Sequence, residues 1–489
     1  MICLANYVRL HAPEISVEML DLSAASEAEV ESAALLSKSI PYEQLFVGIS
    51  TTTATYQSAL TVAQAFRRRH RNATIIFGGH HASAQADVVL DCHPTLVDVI
   101  VRGEGEASLL QLLREYPRFW RVPGISYLDE QGTVRHNAPG LSLTESELDE
   151  IAPTLDGGGV RSSPGKFDHV TYVSARGCPL SCSFCSVANQ KIRAKSIGAV
   201  IRDIRHLVVD LGFSNIAIED NFFAHSRRRT LDLCLALQLL RRSIEFKWDC
   251  QTRVESMANS EILQAMEDAG CEAVYLGVEA LNARQLTYLG KTRNPTSYIR
   301  TLEESVVPAI VNSRIDCYLN LQLGLPGEYQ QDRDETLERL AALGMLANAQ
   351  GRAITIFPQL HVVYPGTQHF HDAIQQQRFG PATPRVFEEF TRWEARQQPI
   401  MTWLGEHFAH GVGGIPEGIL LPESLRQGRF EVDSSRVFEI TSYLRAMERL
   451  PGIVVFRYGA YLAAAQRYQT TSMPINRHGP IPYADTILH

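Results

Sequence analysis

The sequence predicts two successive α/β domains, each built around a mainly parallel sheet. Between residues 16 and 115, short apolar runs alternate with stretches whose apolar residues recur at helical spacing. From His169 the alternation resumes at larger spacing and gives six strand–helix units by residue 367. One of these helices is predicted to start at Asn259 or Ser260 and to stop at Gly270. Strands that alternate with helices usually pair in parallel and are covered by helices on both faces. A chain of 489 residues has room for both domains and a further region.

Four strand-like segments define the first domain: VEMLDL (17–22), LFVGIST (45–51), ATIIFGG (73–79) and VDVIVRG (97–103). Ligands of parallel α/β sheets bind at the carboxyl ends of the strands. Plain turns between strands and helices would also account for the polar and glycine residues found there. The candidate binding residues at these ends are Ser50, Thr51, Thr52, Gly78, Gly79, His81, Ser83, Gly103, Glu104, Gly105 and Glu106.

The remaining boundaries follow from turn residues and changes in composition. Residues 122–138 predict a hairpin around Asp129–Gly132 that completes a first domain of residues 1–138. A linker rich in Gly, Ser, Pro and acidic residues occupies 139–166 and leads into a second domain, 167–367. Residues 368–489 have a weaker, helical pattern, and we expect them to cap the second domain where substrate enters.

A cysteine-rich loop, SARGCPLSCSFCS, begins the second domain at residues 174–186. A structural zinc site usually has four ligands, often in two separated pairs, whereas this loop has three cysteines and no second pair. Three thiolates in one loop suit a [4Fe–4S] cluster with one iron free for a non-protein ligand. The alternative is three unrelated buried or zinc-bound cysteines. The predicted cluster ligands are Cys178, Cys182 and Cys185.

Composition excludes several other classes of protein. The formal net charge of −8 argues against a nucleic-acid partner, and the basic runs at Arg67–His70 and Arg227–Arg229 fit solvated helix faces. No apolar run is long enough to span a membrane, and the first residues do not resemble a signal peptide. Nine cysteines without a disulfide pattern predict a reducing, cytoplasmic location.

The cysteine spacing, with Phe184 before the third cysteine and the apolar strand HVTYVSARG ahead of the loop, resembles the radical S-adenosylmethionine (radical SAM) superfamily. This resemblance implies a partial (β/α)6 barrel, similar to a TIM barrel left open on one side. It also implies that SAM binds the open iron and is cleaved to a 5′-deoxyadenosyl radical. The electron would come from a donor such as flavodoxin or ferredoxin, and the backbone around Phe184 would contact adenine.

The same resemblance suggests SAM-binding residues at other strand ends. Glu219, Asp220 and Asn221 follow the second strand, where carboxylates could accept hydrogen bonds from the SAM ammonium group. A helix cap is the alternative for this segment. Gly277-Val278-Glu279 resembles a ribose-binding segment, although Glu279 could also be a surface acid. Gly324, in LGLPGE, resembles the segment near adenine, and Arg253 could meet the SAM carboxylate.

The segments GGHHAS and RGEGE resemble the cobalamin-binding domain that precedes many radical SAM cores. They imply a Rossmann-like, flavodoxin-like fold and cobalamin as a third cofactor. A DxHxxG loop is absent, as in many radical SAM relatives. The family's first strand and Pro-rich loop do not precede ICLANYVRL, so we expect either an upstream start or a domain that lacks its first strand.

Together these resemblances predict an enzyme that cleaves SAM reductively and uses cobalamin to methylate an unactivated carbon of a small molecule in natural-product biosynthesis. A cyclase, rearrangement or oxidation enzyme without methyl transfer, similar to the anaerobic porphyrin cyclase, is one alternative. A corrinoid-binding sensor with an inactive barrel is another. The substrate cannot be read from the sequence.

Overall fold

The protein was analysed as a computed structural model, which describes residues 1–22, 25–36, 44–153, 169–380, 385–394, 403, 407–408 and 414–457. These residues fall into two compact units. The N-terminal unit contains the described residues up to 153 together with 385–394, and the barrel unit contains 169–380 and the described residues from 403 onward. No helix among the described residues is long and apolar enough to cross a membrane.

The N-terminal unit contains a five-stranded sheet in the order β1-β2-β3-β4-β5. The first three strands are parallel, and β4 and β5 continue the sheet as an antiparallel hairpin. Asp129 N donates to Thr133 O at 2.9 Å and closes the predicted hairpin turn. The strands are β1 (Phe46–Ser50), β2 (Thr74–Gly78), β3 (Val99–Val101), β4 (Ile125–Leu128) and β5 (Val134–His136).

The helices of this unit cover the sheet and bury apolar residues of β1 to β3 in its core. They are Ile2–His11, Glu27–Leu36, Tyr56–Arg69, His80–Ala84, Ala86–Cys92, Glu106–Glu115, the 3-10 turn Phe119–Arg121, Glu145–Glu150 and Val386–Glu394.

The segment VEMLDL differs from its prediction, because residues 17–22 form no strand and contain only one bridge residue, Met19. Leu20 and Leu22 nevertheless pack against the core and are partly buried, although this segment pairs with no strand as a ladder. No strand precedes Phe46 in the part of the chain that the structure describes.

Part of the predicted linker is an ordered helix, Glu145–Glu150. The Thr144 side chain accepts from Glu147 N, and the Glu147 carboxylate accepts from Thr144 N, which forms a capping box. Leu148 joins a small core cluster with Tyr7 and Leu110. The rest of the predicted linker from residue 154 lies outside the described residues.

Helix Val386–Glu394, from the C-terminal third of the chain, belongs to the N-terminal unit. Its Glu388 carboxylate lies 3.2 Å from Nε2 of His93, and Gln57 Nε2 donates to Thr391 Oγ1 at 2.9 Å. This helix therefore packs on helix Tyr56–Arg69, a long-range contact that helical periodicity could not predict.

The barrel unit contains a seven-stranded parallel sheet in the order β14-β13-β12-β11-β10-β9-β6. Six of these strands match the six predicted units. The strands of this unit are β6 (His169–Tyr172), β7 (Ala175–Arg176), β8 (Arg193–Ala194), β9 (Asn215–Ile218), β10 (Lys247–Thr252), β11 (Cys271–Glu279), β12 (Asp316–Leu323), β13 (Ile354–Leu360) and β14 (Ile453–Val455).

Helices connect the parallel strands, and one of them has both of its ends at predicted residues. Asn259 Oδ1 accepts from Glu261 N at 3.0 Å, and Gly270 has a φ of +82°, so the predicted ends of one helix are confirmed. The helices and helical turns are Ile197–Arg205, His206–Asp210, Arg227–Leu240, Val254–Met257, Ser260–Asp268, Ala283–Tyr288, Pro295–Thr301, Leu302–Val306, Val307–Val311, Gln330–Ala349, Gln368–Gln375, Glu417–Ile419, Pro422–Arg426 and Ser434–Glu448.

The seventh strand, β14, was not predicted, because residues 368–489 were expected to be helical. Ile453–Val455 pairs in parallel with Ile354–Ile356 of β13. The carbonyl oxygen of Gly452 extends this pairing by accepting from Ile354 N at 2.8 Å. A strand of three residues leaves no readable alternation in a sequence.

Candidate functional site

The three cysteines lie in the loop that joins the short antiparallel strands β7 and β8. Gly177, ahead of the first cysteine, has a φ of +92°, and a Cβ there would lie 2.4 Å from Lys191 O. Gln190 N donates to Cys178 O at 2.8 Å, and Cys185 N donates to Cys182 O at 3.2 Å. The loop is thus closed by its own backbone, and only glycine fits at its start.

The three thiols are grouped, since Cys182 and Cys178 both raise the pKa of Cys185. Burial is the main cause and raises this pKa to about 11. Among the described residues, no three His, Cys, Asp or Glu side chains converge on one point that a single ion could occupy. Three thiols grouped in one loop fit a [4Fe–4S] cluster, in which each thiolate binds its own iron.

Two cationic side chains face this loop from other elements. Arg253, which follows β10, places Nη1 3.6 Å from Cys182 Sγ and donates from Nη2 to Lys291 O at 2.7 Å. Lys291 interacts electrostatically with Cys178 and Cys185 and is only 7% exposed. Positive charge beside the thiols would offset the negative charge of a thiolate-bound cluster or of a carboxylate ligand.

Glu279 lies at the end of β11 with a φ of +70°, an uncommon backbone conformation for glutamate. Its Oε1 is 3.1 Å from Lys291 Nζ, and its Oε2 accepts from Gln322 Nε2 at 2.9 Å. A Cβ on Gly277 would lie 3.0 Å from both Glu279 Oε1 and Lys291 Nζ. The G-x-E segment therefore places a buried carboxylate, paired with lysine, inside the barrel, and surface exposure of Glu279 is excluded.

Asp220 accepts hydrogen bonds from the backbone just before the cysteine loop. Its Oδ1 accepts from Ser174 N at 2.6 Å and from Ala175 N at 2.8 Å, and its Oδ2 accepts from Ser174 Oγ at 2.6 Å. These three hydrogen bonds hold Ser174 and Ala175 in place at the start of the loop. Burial outweighs these hydrogen bonds and raises the pKa of Asp220 to about 6.

Glu219 and Asn221, the residues on either side of Asp220 in the chain, differ from it in their surroundings. Burial, together with the charge of Asp220, raises the pKa of Glu219 to about 7. Asn221 is exposed at the surface. Glu219 therefore has a buried carboxyl group that could meet a cationic ligand group.

Phe184 and Gly324 occupy different surroundings. Phe184 is half-buried within the cysteine loop, between Cys182 and Cys185. Gly324 has a φ of +71°, and a Cβ there would lie 2.9 Å from Ile440 Cδ1 and 3.0 Å from Leu360 Cδ1. The LGLPGE segment is thus packed against the C-terminal part of the barrel unit, and it borders a cavity of about 500 Å³.

In the N-terminal unit, hydrogen bonds join the strand-end loops at one edge of the sheet. Thr51 N and Oγ1 each donate to Gly78 O at 2.8 Å, and Gly103 N donates to Ser83 Oγ at 3.1 Å. Gly79 has a φ of +90°, and a Cβ there would lie 2.5 Å from Thr51 O. Gly79 therefore permits a close approach of backbone to backbone between the loops that follow β1 and β2.

His81 and the acidic residues near Gly103 have partners within the protein. The His81 ring is buried, with Nδ1 3.0 Å from Thr53 Oγ1 and its centroid 4.3 Å from that of Tyr56. Burial lowers its pKa to about 4, so the ring is neutral. Glu104 accepts from Leu143 N at 3.2 Å, and Glu106 is buried at a helix start. All three side chains thus have contacts within the N-terminal unit, and Ser50, Thr52 and Gly105 are half-buried at the strand ends.

Sequence reasoning missed several residues around the cysteine loop. Lys291 and Gln322 reach Glu279 from a loop and from β12, and His369 contacts Ser183 between the second and third cysteines. Gln322 faces the interior on alternate positions of a strand, which was a readable signal. Lys291 and His369 lie outside any motif, so only the fold brings them to the site.

Two family models match the chain. The B12 binding domain model matches residues 3–113, and the Radical SAM superfamily model matches residues 172–340. An uncharacterized methyltransferase of Pyrococcus horikoshii is 27% identical over 68% of this chain and 71% of its own length. The hopanoid C-3 methylase of Methylococcus capsulatus is 25% identical over 66% of this chain and 59% of its own.

A cyclase is also among the relatives. The anaerobic magnesium-protoporphyrin IX monomethyl ester cyclase of Cereibacter sphaeroides is 27% identical over 54% of this chain and 44% of its own length. The chain thus spans less than two thirds of the hopanoid methylase and of the cyclase.

Solved structures share the fold. The radical S-adenosylmethionine methyltransferase TsrM of Kitasatospora setae superposes with a TM-score of 0.61 at 15% identity, covering 77% of this chain and 72% of TsrM. The cobalamin-dependent S-adenosylmethionine radical enzyme OxsB superposes with a TM-score of 0.58 at 17% identity, covering 96% of this chain and 68% of OxsB. The predicted α/β fold class is confirmed.

The fold, the cysteine loop and the two family models together define the class of its two domains: the chain contains a B12-binding domain and a radical SAM domain. The prediction of a [4Fe–4S] cluster, SAM and cobalamin as cofactors is confirmed at the level of these two domains. The residues described above fit the first two cofactors, because grouped thiols lie beside two cations and a buried carboxylate.

Proposed function

We propose that this chain is a radical SAM enzyme that uses cobalamin to methylate an unactivated carbon of a small molecule, in natural-product biosynthesis. One observation carries the proposal: a B12-binding domain with its strand-end glycines stands in the same chain as a radical SAM domain with all three loop cysteines. Methyltransferases among the relatives support it.

Four side chains have roles in this proposal. When bound, the cluster and SAM supply one-electron cleavage to a carbon radical, and cobalamin supplies a methyl carrier. Arg253 and Lys291 orient an anionic group of SAM beside the cysteine loop. Glu279 accepts hydrogen bonds from the ribose hydroxyls, and Asp220 keeps the start of the loop in place.

The barrel interior suits chemistry that must exclude water. Tyr275 and Tyr318 stack with centroids 4.5 Å apart, and Phe357 and Phe456 stack at 4.8 Å. These rings belong to one buried apolar cluster of the barrel unit, together with Ala273. A dry interior protects a reactive radical from competing hydrogen donors.

The remaining partners are a small-molecule substrate and a one-electron donor such as flavodoxin or ferredoxin. The cavity beside LGLPGE is large enough for a small molecule at about 500 Å³. All nine cysteines are free thiols, which supports the proposed cytoplasmic location. The formal net charge of −8 argues against a nucleic-acid partner, and no helix among the described residues could cross a membrane.

Anaerobic incubation of the reconstituted protein with cobalamin, a reductant and SAM labelled in its methyl group tests the proposal. Candidate substrates come from the chemistry of neighbouring genes. We expect 5′-deoxyadenosine, S-adenosylhomocysteine and label on product carbon. The Cys182→Ala variant is the matched control and should form none of them. A protein with an intact cluster that never forms 5′-deoxyadenosine would contradict the proposal.

A second candidate function is a cyclisation, rearrangement or oxidation without methyl transfer. The similarity to the magnesium-protoporphyrin cyclase favours it, as does 26% identity with the 4′-phospho-dehydrooxetanocin synthase of Priestia megaterium over 56% of this chain. The same incubation separates the two candidates. Formation of 5′-deoxyadenosine without S-adenosylhomocysteine, and with unlabelled product, would favour the second.

A further inference from the structure

The turn between Cys182 and Cys185 is held from outside the loop by a histidine that no motif includes. His369 N donates to Ser183 O at 3.0 Å, and His369 Nε2 lies 2.8 Å from Ser183 Oγ. Ser183 directly follows Cys182, so these contacts act on the residue next to a cluster ligand. We propose that His369 is a positioning residue that fixes the turn carrying Cys182 and Cys185.

The hydrogen-bond chemistry assigns the tautomer of this histidine. His369 Nε2 also lies 3.1 Å from Tyr288 O, and a carbonyl oxygen can only accept. Nε2 therefore carries the hydrogen and donates to Tyr288 O and Ser183 Oγ. The Ser183 hydroxyl in turn donates to Tyr288 O at 3.2 Å, which closes a small network.

The hydrogen bonds of Ser183 with His369, Tyr288 and Leu289 are together called the clamp, and the backbone of Ser183 contributes to it. Ser183 N donates to Leu289 O at 3.0 Å, so both backbone polar groups of Ser183 have partners outside the cysteine loop. A turn held at its N–H, its C=O and its side chain has little freedom to open. Ordering of the ligand-bearing turn before the cluster binds lowers the conformational entropy lost on binding.

The histidine ring is itself held rigidly. Its centroid lies 4.6 Å from that of Tyr288 and 5.3 Å from that of His361, and Arg378 Nη2 donates to His369 O at 3.3 Å. The Thr367 side chain caps the helix that carries it by accepting from Phe370 N. His369 is 4% exposed, so solvent does not compete for its hydrogen bonds.

The arrangement also links the turn to the proposed ribose carboxylate. His361 Nδ1 lies 2.6 Å from Gln322 Oε1, and Gln322 Nε2 donates to Glu279. Packing of His361 against His369 thus places the clamp and the Glu279 network side by side. The positioning role rests on the cysteine loop holding a cluster and is independent of methyl transfer.

The experiment measures the release of iron to a ferrous-iron chelator from anaerobically reconstituted protein without SAM. The variants are H369F, which fills the space without donating, H369Q, which keeps a donor, S183A, and the double variant H369F/S183A. H371A is the matched control, because His371 is exposed on the same helix. Iron and sulfide contents are measured first, and thermal unfolding of each apo-protein reports on folding.

We expect H369F and S183A to release iron about tenfold faster than wild type, as the loss of one or two hydrogen bonds implies. H369Q and H371A should stay near the wild-type rate. The double variant should release iron no faster than the faster single variant, because both remove one interaction. The H369Q and S183A comparisons decide the question even where H369F lowers the stability of the apo-protein.

Several results would overturn the positioning role of His369. Wild-type release rates in both S183A and H369F would show that the clamp does not hold the cluster, and so would independent, multiplicative effects in the double variant. A wild-type protein that assembles no cluster would overturn this inference together with the proposed function. An intact wild-type cluster with unchanged variants would overturn only the inference.

Discussion

The ammonium group of Lys291 lies 3.1 Å from the carboxylate of Glu279, and both side chains are buried inside the barrel. Such a pair is stable only while each charge has its partner. A ligand that adds hydrogen bonds to Glu279 or a carboxylate to Lys291 can therefore bind without leaving a buried charge alone. Substitution of one member of this pair is therefore the most direct test of the proposed SAM site.

Replacement of Glu279 by glutamine should weaken SAM binding about 10- to 100-fold, since hydrogen bonds to a charged acceptor contribute about 1.5–3 kcal/mol. Equilibrium dialysis with SAM and cluster-loaded protein measures the effect. Glu272→Gln is the control, because Glu272 lies on the same strand in a more exposed position. An unchanged dissociation constant in Glu279→Gln would remove Glu279 from the SAM site.

Single serine substitutions of Cys178, Cys182 and Cys185 should each reduce iron to well below four atoms per chain, because the cluster would lose a thiolate ligand. Cys317→Ser is the control, as Cys317 is a buried core residue on β12. Iron and sulfide analysis after reconstitution gives the answer. Full iron content in any of the three loop variants would contradict its assignment as a ligand.

Alanine at Gly79 should destabilise the N-terminal unit by about 2 kcal/mol or more, because a side chain at positive φ is strained and would also meet Thr51 backbone atoms. Cobalamin retention should fall with it. Gly48→Ala is the control on β1, where a Cβ would meet nothing within 4 Å. Thermal unfolding and the absorbance of bound cobalamin report the two effects. Equal behaviour of the two variants would refute the close approach of these loops.

Glu394 should make stability depend on pH near neutrality. Burial raises its pKa from 4.5 to about 8, so its stabilising contribution is full below about pH 4.5 and is lost as the pH rises through about 8. Between pH 6 and pH 9 the wild-type protein should lose about 2 kcal/mol more stability than Glu394→Gln. Thermal midpoints across this range test the difference.

Glu389→Gln is the control for that measurement, because Glu389 is exposed on the same helix. It should follow the wild-type pH profile. Parallel profiles for wild type and Glu394→Gln would show that Glu394 is not buried as an acid in the folded protein.

The sequence predicted those parts of the fold that depend on local pattern. The ends of β10 to β13 follow from apolar runs, and Asn259 and Gly270 gave the ends of a helix. The loop cysteines were readable because their function requires close spacing along the chain. Signals of this kind depend on short stretches of chain, so they can be read without knowing the tertiary contacts.

What the sequence could not give depends on contacts between distant segments. Asp220 accepts hydrogen bonds from Ser174 and Ala175, which no local pattern in the sequence indicates. His81 belongs to a motif, yet the ring packs against Tyr56 in the core. Lys291 and His369 reach the site from loops and helices without any pattern. In each case the deciding partner lies many residues away, where periodicity carries no information.

The pairing of Ile453–Val455 with β13 has a practical consequence for shortened forms of the protein. A chain cut soon after residue 380 would leave the amide and carbonyl groups of Ile354–Ile356 unpaired along one side of β13. An unpaired edge strand can pair with strands of other molecules and so promotes aggregation. Anyone who wishes to study the catalytic half in isolation should therefore keep the last hundred or so residues attached, or expect insoluble material.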